Sequence, residues 1–351
     1  MRDHDRRPAT DLPMALKDRV TVSPALELPK AVAGVSWRRV RHGDIPVIVR
    51  LANACNAVDS PWEAAGAEDF KRQLDDPDVD LTQDSVIGLD PQGRAVAYGL
   101  VCMSRAPETL VWVSLDGWVS PERRGQGIGS ALLSWQEHRG RQLLSSLDSR
   151  LPALVAADVW DGSEPGALLQ AHGYTARRWW LELERDLRTP LPTATLPVAY
   201  RIAGYAGHEE ASRGVHNLAF RDHWGSQPIG AQEWQRHHAQ TRADLSFVVL
   251  GAGPGGTDEV LAYVICVVPL DAWQARGRRF GGIEVIGVHP RARGLGLASG
   301  LLVHAMRALR NEGLESVVLH VDADSRTGAV RLYERLGFQT VRRSVTLAKA
   351  F

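Results

Sequence analysis

Residues Ile286–Leu302 read IGVHPRARGLGLASGLL, and residues Gly117–Leu133 read GWVSPERRGQGIGSALL. The two stretches share V-x-P, R-G-x-G and S-x-L-L in the same order and at the same spacing. Working outward, the repeat continues. Val35-Ser36-Trp37-Arg38 resembles Val198-Ala199-Tyr200-Arg201, and a helical segment ending in Gly173-Tyr174 matches one ending in Gly337-Phe338. Between the halves lies Leu187–Pro197, LRTPLPTATLP, whose prolines interrupt helix and sheet alike. Duplication of one domain is the simplest account. The expected organisation is a disordered leader over 1–33, a first domain over 34–187, a linker over 188–197 and a second domain over 198–351.

Each half shows the same order of elements. A short strand (Val35–Val40; Tyr200–Ile202) precedes helical segments (Gly43–Val58; Gly207–Phe220). Two strands joined by a turn follow: Ser85–Leu89 with Ala95–Met103, and Ser246–Leu250 with Val260–Val268. A long strand then runs into the Gly-rich loop and a helix. A further strand (Leu154–Trp160; Ser316–Val321), a short helix and a closing strand pair complete the set. Strands with helical crossovers predict an α/β fold with a mixed (α+β) sheet in each half.

The loop Arg293-Gly294-Leu295-Gly296-Leu297-Ala298 follows the strand Glu284–Val288 and opens a helix. Leu297, Leu301, Ala305 and Leu309 recur at helical spacing, and Gly313 suits the C-terminal cap. A helix N-terminus offers unpaired N–H groups and positive dipole character, and glycines let the backbone approach a ligand. The pattern predicts an anion site for phosphate or pyrophosphate. Arg124-Gly125-Gln126-Gly127-Ile128-Gly129 repeats it. No G-K-[S/T] follows, so a Walker loop is excluded. Gly251–Gly256, GAGPGG, satisfies G-x-G-x-x-G but lies between two strand-like runs, and a hairpin turn is expected there.

Composition narrows the function classes. Among 351 residues, hydrophobic residues make up 44% and charged residues 23%, as in an ordinary globular protein. Lys plus Arg and Asp plus Glu are 41 each, so no whole-chain charge points to nucleic acid or an anionic membrane. Cys55, Cys102 and Cys266 stand alone among apolar residues, giving neither a disulfide framework nor a metal site. No apolar segment follows the charged Met1–Arg7, and the longest apolar run, Val260–Leu270, is shorter than a membrane span. A soluble, cytoplasmic protein with no metal, nucleic-acid or membrane partner is expected. The sequence assigns no oligomeric state.

R-x-x-G-x-G/A after a strand ending V-x-P resembles the pyrophosphate loop of the GNAT superfamily of N-acetyltransferases. In the second half, Asp324–Phe338 (DSRTGAVRLYERLGF) resembles that family's later motif, Asn followed by A-x-x-L-Y-x-x-x-G-F. The resemblance covers both halves and implies two tandem GNAT domains with acetyl-CoA as acyl donor. It implies transfer of an acetyl group to a primary amine of a small molecule, by direct attack through a tetrahedral intermediate. It places the acetyl carbonyl beside Ile286 and Val288, and the cofactor on Arg293, Gly294, Leu295, Gly296, Leu297, Ala298, Ser299 and Ser325. Ser325 stands where the family usually has Asn. In the first half the matching positions are Val119, Arg124, Gly125, Gly127, Ile128 and Gly129.

An amine is mostly protonated at neutral pH, so transfer needs a base, oxyanion donors and an acid for the departing thiolate. By the same resemblance Tyr333 is the candidate acid; a core tyrosine is its alternative. Glu284 is the candidate base, four residues before Val288 and on its strand face at period two, or else a strand-edge carboxylate facing water. Asp222, His223 and Trp224 are candidates for the acceptor site, against a helix-end turn with Trp224 in the core. His237-His238 is expected at the surface, and Asp322 and Asp324 as solvated loop carboxylates. Leu169 stands in the first half where Tyr333 stands in the second, so catalysis is expected in the second half. The first half is then structural, or binds acetyl-CoA without turnover. Val321–Asp324 and Val330–Phe338 also resemble the mycothiol synthase branch of the superfamily, which makes a cysteinyl amino sugar an alternative acceptor. A non-catalytic acetyl-CoA sensor or scaffold is the alternative outside enzymes.

Overall fold

The structure, a computed structural model, describes residues 14–104, 107–253, 256–325 and 327–351. The chain divides into two compact units, Met1–Arg177 with Val345–Phe351, and Arg178–Ser344. The division differs from the expected one. It falls at Arg177 rather than within 188–197, and the last seven residues belong to the first unit.

In the first unit the elements are α1 (Leu16–Arg19), β1 (Ser36–Arg38), α2 (Ile45–Asp59), α3 (Ala67–Leu74), α4 (Leu81–Asp84), β2 (Ser85–Leu89), β3 (Ala95–Met103), β4 (Val111–Val119), α5 (Ile128–Ser145), β5 (Ala153–Trp160) and α6 (Glu164–Ala171). Strands β1 to β5 are neighbours in that order, antiparallel except for the parallel pair β4–β5. The β2–β3 hairpin closes through the Asp90 carboxylate, which accepts from the backbone N–H of Gln92 and Arg94. Phe351 continues the sheet by exchanging backbone hydrogen bonds with Ala153.

The leader is not disordered from Met14 onward; residues 1–13 lie outside the described residues. Leu16 is fully buried and Ala15 and Val20 nearly so. Leu16 and Lys17 donate backbone N–H groups to the carbonyls of Ser149 and Leu147, and His138 and Gln142 on α5 bond the Ser23 carbonyl. The apolar residues at Ala15, Leu16 and Val20 find a dry surface on α5, and that burial outweighs the polar composition around them.

In the second unit the elements are β6 (Thr175–Asp186, from Arg178), β7 (Arg201–Gly204), α7 (Glu209–Ala219), α8 (Ala231–His237), β8 (Phe247–Ala252), β9 (Asp258–Val267), α9 (Trp273–Arg276), β10 (Phe280–Val288), α10 (Leu297–Asn311), β11 (Ser316–Asp322), α11 (Ala329–Arg335) and the first part of β12 (Gln339–Ala350). The strand order is β6-β11-β10-β9-β8-β7. The mixed α/β sheet expected from the sequence is present. One long strand, rather than a strand pair, follows the short helix in each half. Arg178–Asp186, expected to close the first domain, pairs instead with β11 from Asp322 back to Ser316. Residues 188–197 form no helix or strand, yet Leu191 and Leu196 pack on the second unit's core, and a Cβ on Gly300 of α10 would lie 2.7 Å from Leu196. Gly251 and Ala252 pair with Glu259 and Asp258 in an antiparallel hairpin, as expected; Pro254 and Gly255 lie outside the described residues.

Helix α10 buries Leu297, Leu301, Ala305 and Leu309 with Leu302 and Met306 against the sheet. The opposite face carries α7 and α8 over a second cluster built on Tyr205, Trp234, Val248 and Tyr263. Between these layers β10 carries the site.

Candidate active site

Glu284 opens the sheet. In the β9–β10 ladder Ile283 faces Cys266 and Val285 faces Ile265, so Glu284 is the extra residue of a β-bulge. Pairing of β10 with β11 covers only Phe280–Ile283 against Ser316–Leu319. From Glu284 to Val288 the two strands part, and among the described residues no strand pairs with the edge of β10 that points away from β9. Ile286 and Val288 pack on the α10 side, whereas Val285 packs on the α7–α8 side. The bulge breaks the alternation, which corrects the expected placement of Glu284 on the face of Val288. Its carboxylate bonds His238 Nδ1 at 3.0 Å, and its side chain is 32% exposed.

The strand leads into the loop. Gly294 and Gly296 have φ of +79° and +77°, and a Cβ at either would meet no atom within 4 Å. Only glycine adopts this backbone without strain. The first backbone bond into α10 runs from Gly300 N–H to the Gly296 carbonyl. Among the described residues, the N–H groups from Gly294 to Ser299 have no acceptor. A 15-residue helix thus presents its positive end to an open cradle that fits a pyrophosphate. Arg293 reaches across and bonds the Ala219 carbonyl at 2.7 Å.

Tyr333 on α11 lies in the apolar cluster that holds Ile286, Val288 and Leu297, and it is 6% exposed. Its ring meets Phe338 edge-on at 5.8 Å. Burial pushes the hydroxyl up to about 12, and among the described residues no group bonds it. Ser325 bonds Thr327, Oγ to Oγ1, at 2.9 Å.

The acceptor candidates separate. His223 and Trp224 join a cluster that the sequence did not reveal. Arg178 donates to Asp322 at 2.5 Å, and both are buried. His223 Nε2 lies 3.8 Å from the same carboxylate. Trp180 packs against both His223 and Trp224, and Arg178 lies over the Trp224 ring. Asp222 is exposed and takes part in none of these contacts. Trp224 is half-buried rather than a core residue. Asp322 is 3% exposed, a correction to its expected solvation. The cause is register, because Asp322 faces Trp180 across the β6–β11 ladder, two residues from Arg178. Asp324 is exposed as expected.

His238 is not at the surface. Its side chain is 10% exposed and its ring meets Trp234 edge-on at 4.1 Å. His237 is the exposed member of the pair. Deeper on this face, His216 Nδ1 lies 2.6 Å from the Tyr263 hydroxyl. Burial, then the neighbouring His238, His237 and His223, lowers His216 to about 4.

The first unit carries the same loop without the same surroundings. Gly125 and Gly127 also have positive φ, but a Cβ on Gly127 would lie 3.3 Å from Val32 of the leader. Arg124 is held by Asp59 at 2.6 Å and by Glu164 at 3.0 Å. Its Nε and the Cys55 thiol both reach the Val119 carbonyl. The β3–β4 ladder has no bulge, and Leu115 stands at the position equivalent to Glu284.

Comparisons with known proteins agree with this geometry. The acetyltransferase (GNAT) family model matches residues 213–338. A mycothiol acetyltransferase of Frankia casuarinae is 31% identical over 272 residues, covering 74% of this chain and 73% of that protein. Another, from Nocardia farcinica, is 32% identical over 66% of this chain and 72% of its own length. Among solved structures, a GCN5-related N-acetyltransferase from Sphaerobacter thermophilus aligns at TM-score 0.69 with 26% identity, over 92% of this chain and 97% of that one. A tandem GNAT protein from the clavulanic acid biosynthesis pathway shares the fold at TM-score 0.63 and 18% identity, over 90% and 98%. Among the described residues, no helix is long and apolar enough to cross a membrane. Parted strands beyond a bulge, an open glycine loop on a helix N-terminus and relatives matched over most of their length lead to one assignment: the chain belongs to the GNAT family of acetyltransferases and is an acyltransferase enzyme.

Proposed function

We propose that the second unit transfers an acetyl group from acetyl-CoA to the primary amine of a small molecule. The observation that carries this is the bulge at Glu284, beyond which β10 and β11 are no longer paired and β10 runs on into the open loop. When bound, acetyl-CoA supplies a thioester open to attack by an amine. The chain's own part follows from position. The loop N–H groups from Gly294 to Ser299 hold the pyrophosphate. Backbone N–H groups of the parted stretch of β10 donate to the thioester oxygen as charge develops on it. Glu284 accepts a proton from the amine, directly or through water, and Tyr333 donates one to the departing thiolate. His223, Trp224, Trp180 and the Arg178–Asp322 pair form the acceptor wall.

A mycothiol-type acceptor, a cysteinyl amino sugar, is a second reading. It is favoured by the mycothiol acetyltransferases among the relatives. In the first unit, leucines stand at both catalytic positions, two carboxylates hold Arg124, and Val32 covers Gly127. We therefore assign it a structural role, with the donor bound in the second unit only.

The test is a panel of primary amines, N-cysteinyl-glucosamine among them, incubated with acetyl-CoA. Thiol release and the acetylated product are measured together. One amine that raises thiol release above hydrolysis and gains one acetyl group is the expected result. Release at the hydrolysis rate with every amine contradicts the proposal.

A further inference from the structure

Glu284 is the bulged residue of β10, and a bulged residue is not oriented by the regular ladder. A carboxylate there needs a partner to aim it, and that partner is His238. We infer that His238 is the positioning residue of the transfer site, holding Glu284 so that one carboxylate oxygen is fixed and the other is left for the acceptor. This rests on Glu284 as the base.

His238 is itself held from several sides. It caps α8, with its backbone N–H on the Trp234 carbonyl at 3.1 Å and its own carbonyl accepting from Thr241 at 3.1 Å. Its ring packs edge-on against Trp234 at 4.1 Å. Trp234 is 2% exposed and donates its indole N–H to the Tyr205 hydroxyl at 3.1 Å. The imidazole is therefore anchored to the core before it meets Glu284. From that anchor Nδ1 lies 3.0 Å from Glu284 Oε2. Donation from Nδ1–H to a carboxylate fixes the tautomer, leaving Nε2 with a lone pair in the neutral ring. Oε1 remains to receive a proton at the parted strands. Catalysis depends on such pre-set geometry, and a loosened base lowers the rate with little effect on binding.

The test uses the full-length chain, acetyl-CoA and the most active amine of the panel. His238→Ala is expected to lower kcat by about 10- to 100-fold, the range spanned by one hydrogen bond to a charged group, with KM within about twofold. His238→Asn, which keeps a donor near Nδ1, should recover most of the rate. Combined with Glu284→Gln, His238→Ala should add nothing further, because the two act as one unit. Wild-type kcat in His238→Ala beside a crippled Glu284→Gln overturns the positioning role and leaves the base standing. Wild-type kcat in Glu284→Gln overturns the base itself and the inference with it. Independently of any acceptor, 15N NMR of the imidazoles should show His238 protonated at Nδ1, with that preference lost in Glu284→Ala. A bare Nδ1 in the wild type overturns the inference.

Discussion

Replacing Tyr333 with Phe tests the proposed acid, because the effect expected on catalysis is far larger than the effect expected on folding. The ring is buried against Phe338 and stays so in the variant. The hydroxyl has no partner among the described residues, so its removal costs less than one ordinary hydrogen bond, under about 0.5 kcal/mol. For a unit of this size that is a shift in Tm of about 2 °C or less. As the acid for the departing thiolate, the same hydroxyl is expected to be worth about 100- to 10,000-fold in kcat. That corresponds to about 3–5 kcal/mol of barrier. Burial pushes its pKa up to about 12, so it stays protonated and the wild-type rate shows no alkaline fall from this group below about pH 10. The assay is thiol release at saturating acetyl-CoA and amine, with donor affinity and Tm measured on the same preparation. A Tyr333→Phe protein with wild-type kcat refutes the assignment. A protein that loses kcat, donor affinity and several degrees of Tm together refutes the separation on which it rests.

Three further outcomes follow from packing and charge. Gly287→Ala puts a Cβ 2.4 Å from Tyr263 Cε1, and differential scanning calorimetry should show a loss of about 1–3 kcal/mol, as for an overpacked core. His216 titrates near 6.5 when unfolded and near 4 when folded, so the unfolded chain binds the extra proton between those values. The stability it protects is complete above pH 6.5 and lost as pH falls from 6.5 to 4, by up to about 3 kcal/mol, and urea titrations of His216→Gln should show that slope flattened. Leu16→Ala removes a fully buried side chain from the leader, and urea unfolding should report about 2–5 kcal/mol lost from the first unit; no loss would mean that α1 does not belong to that core.

The repeated loop was legible because its constraints are local. Gly294, Gly296, Gly125 and Gly127 each sit at positive φ, which the sequence must record as glycine. The apolar spacing of α10 was legible for the same reason. The sequence puts Glu284 on the face of Val288, since a bulge depends on the register of β9 and leaves no mark in β10 alone. His238 reads as a surface residue because its companion, Glu284, lies 46 residues away. Asp322 reads as a solvated strand end because its partner, Arg178, lies 144 residues away in a segment whose sequence belongs with the first half. The long closing strands also hid the unit boundary: Arg178–Asp186 has the same alternation whichever sheet it joins, and only the ladder with Ser316–Asp322 decides. In the leader, Ala15, Leu16 and Val20 span too few residues to show a period, although their burial fixes the segment.

In the proposed reaction the chain binds its donor at one loop, that of the second unit, and transfers the acetyl group there. Calorimetric titration with acetyl-CoA tests it most directly, on the wild type and on Gly296→Trp and Gly127→Trp checked for folding. One site per chain is expected, abolished by Gly296→Trp and kept by Gly127→Trp. Two sites, or binding lost with Gly127→Trp alone, would contradict it.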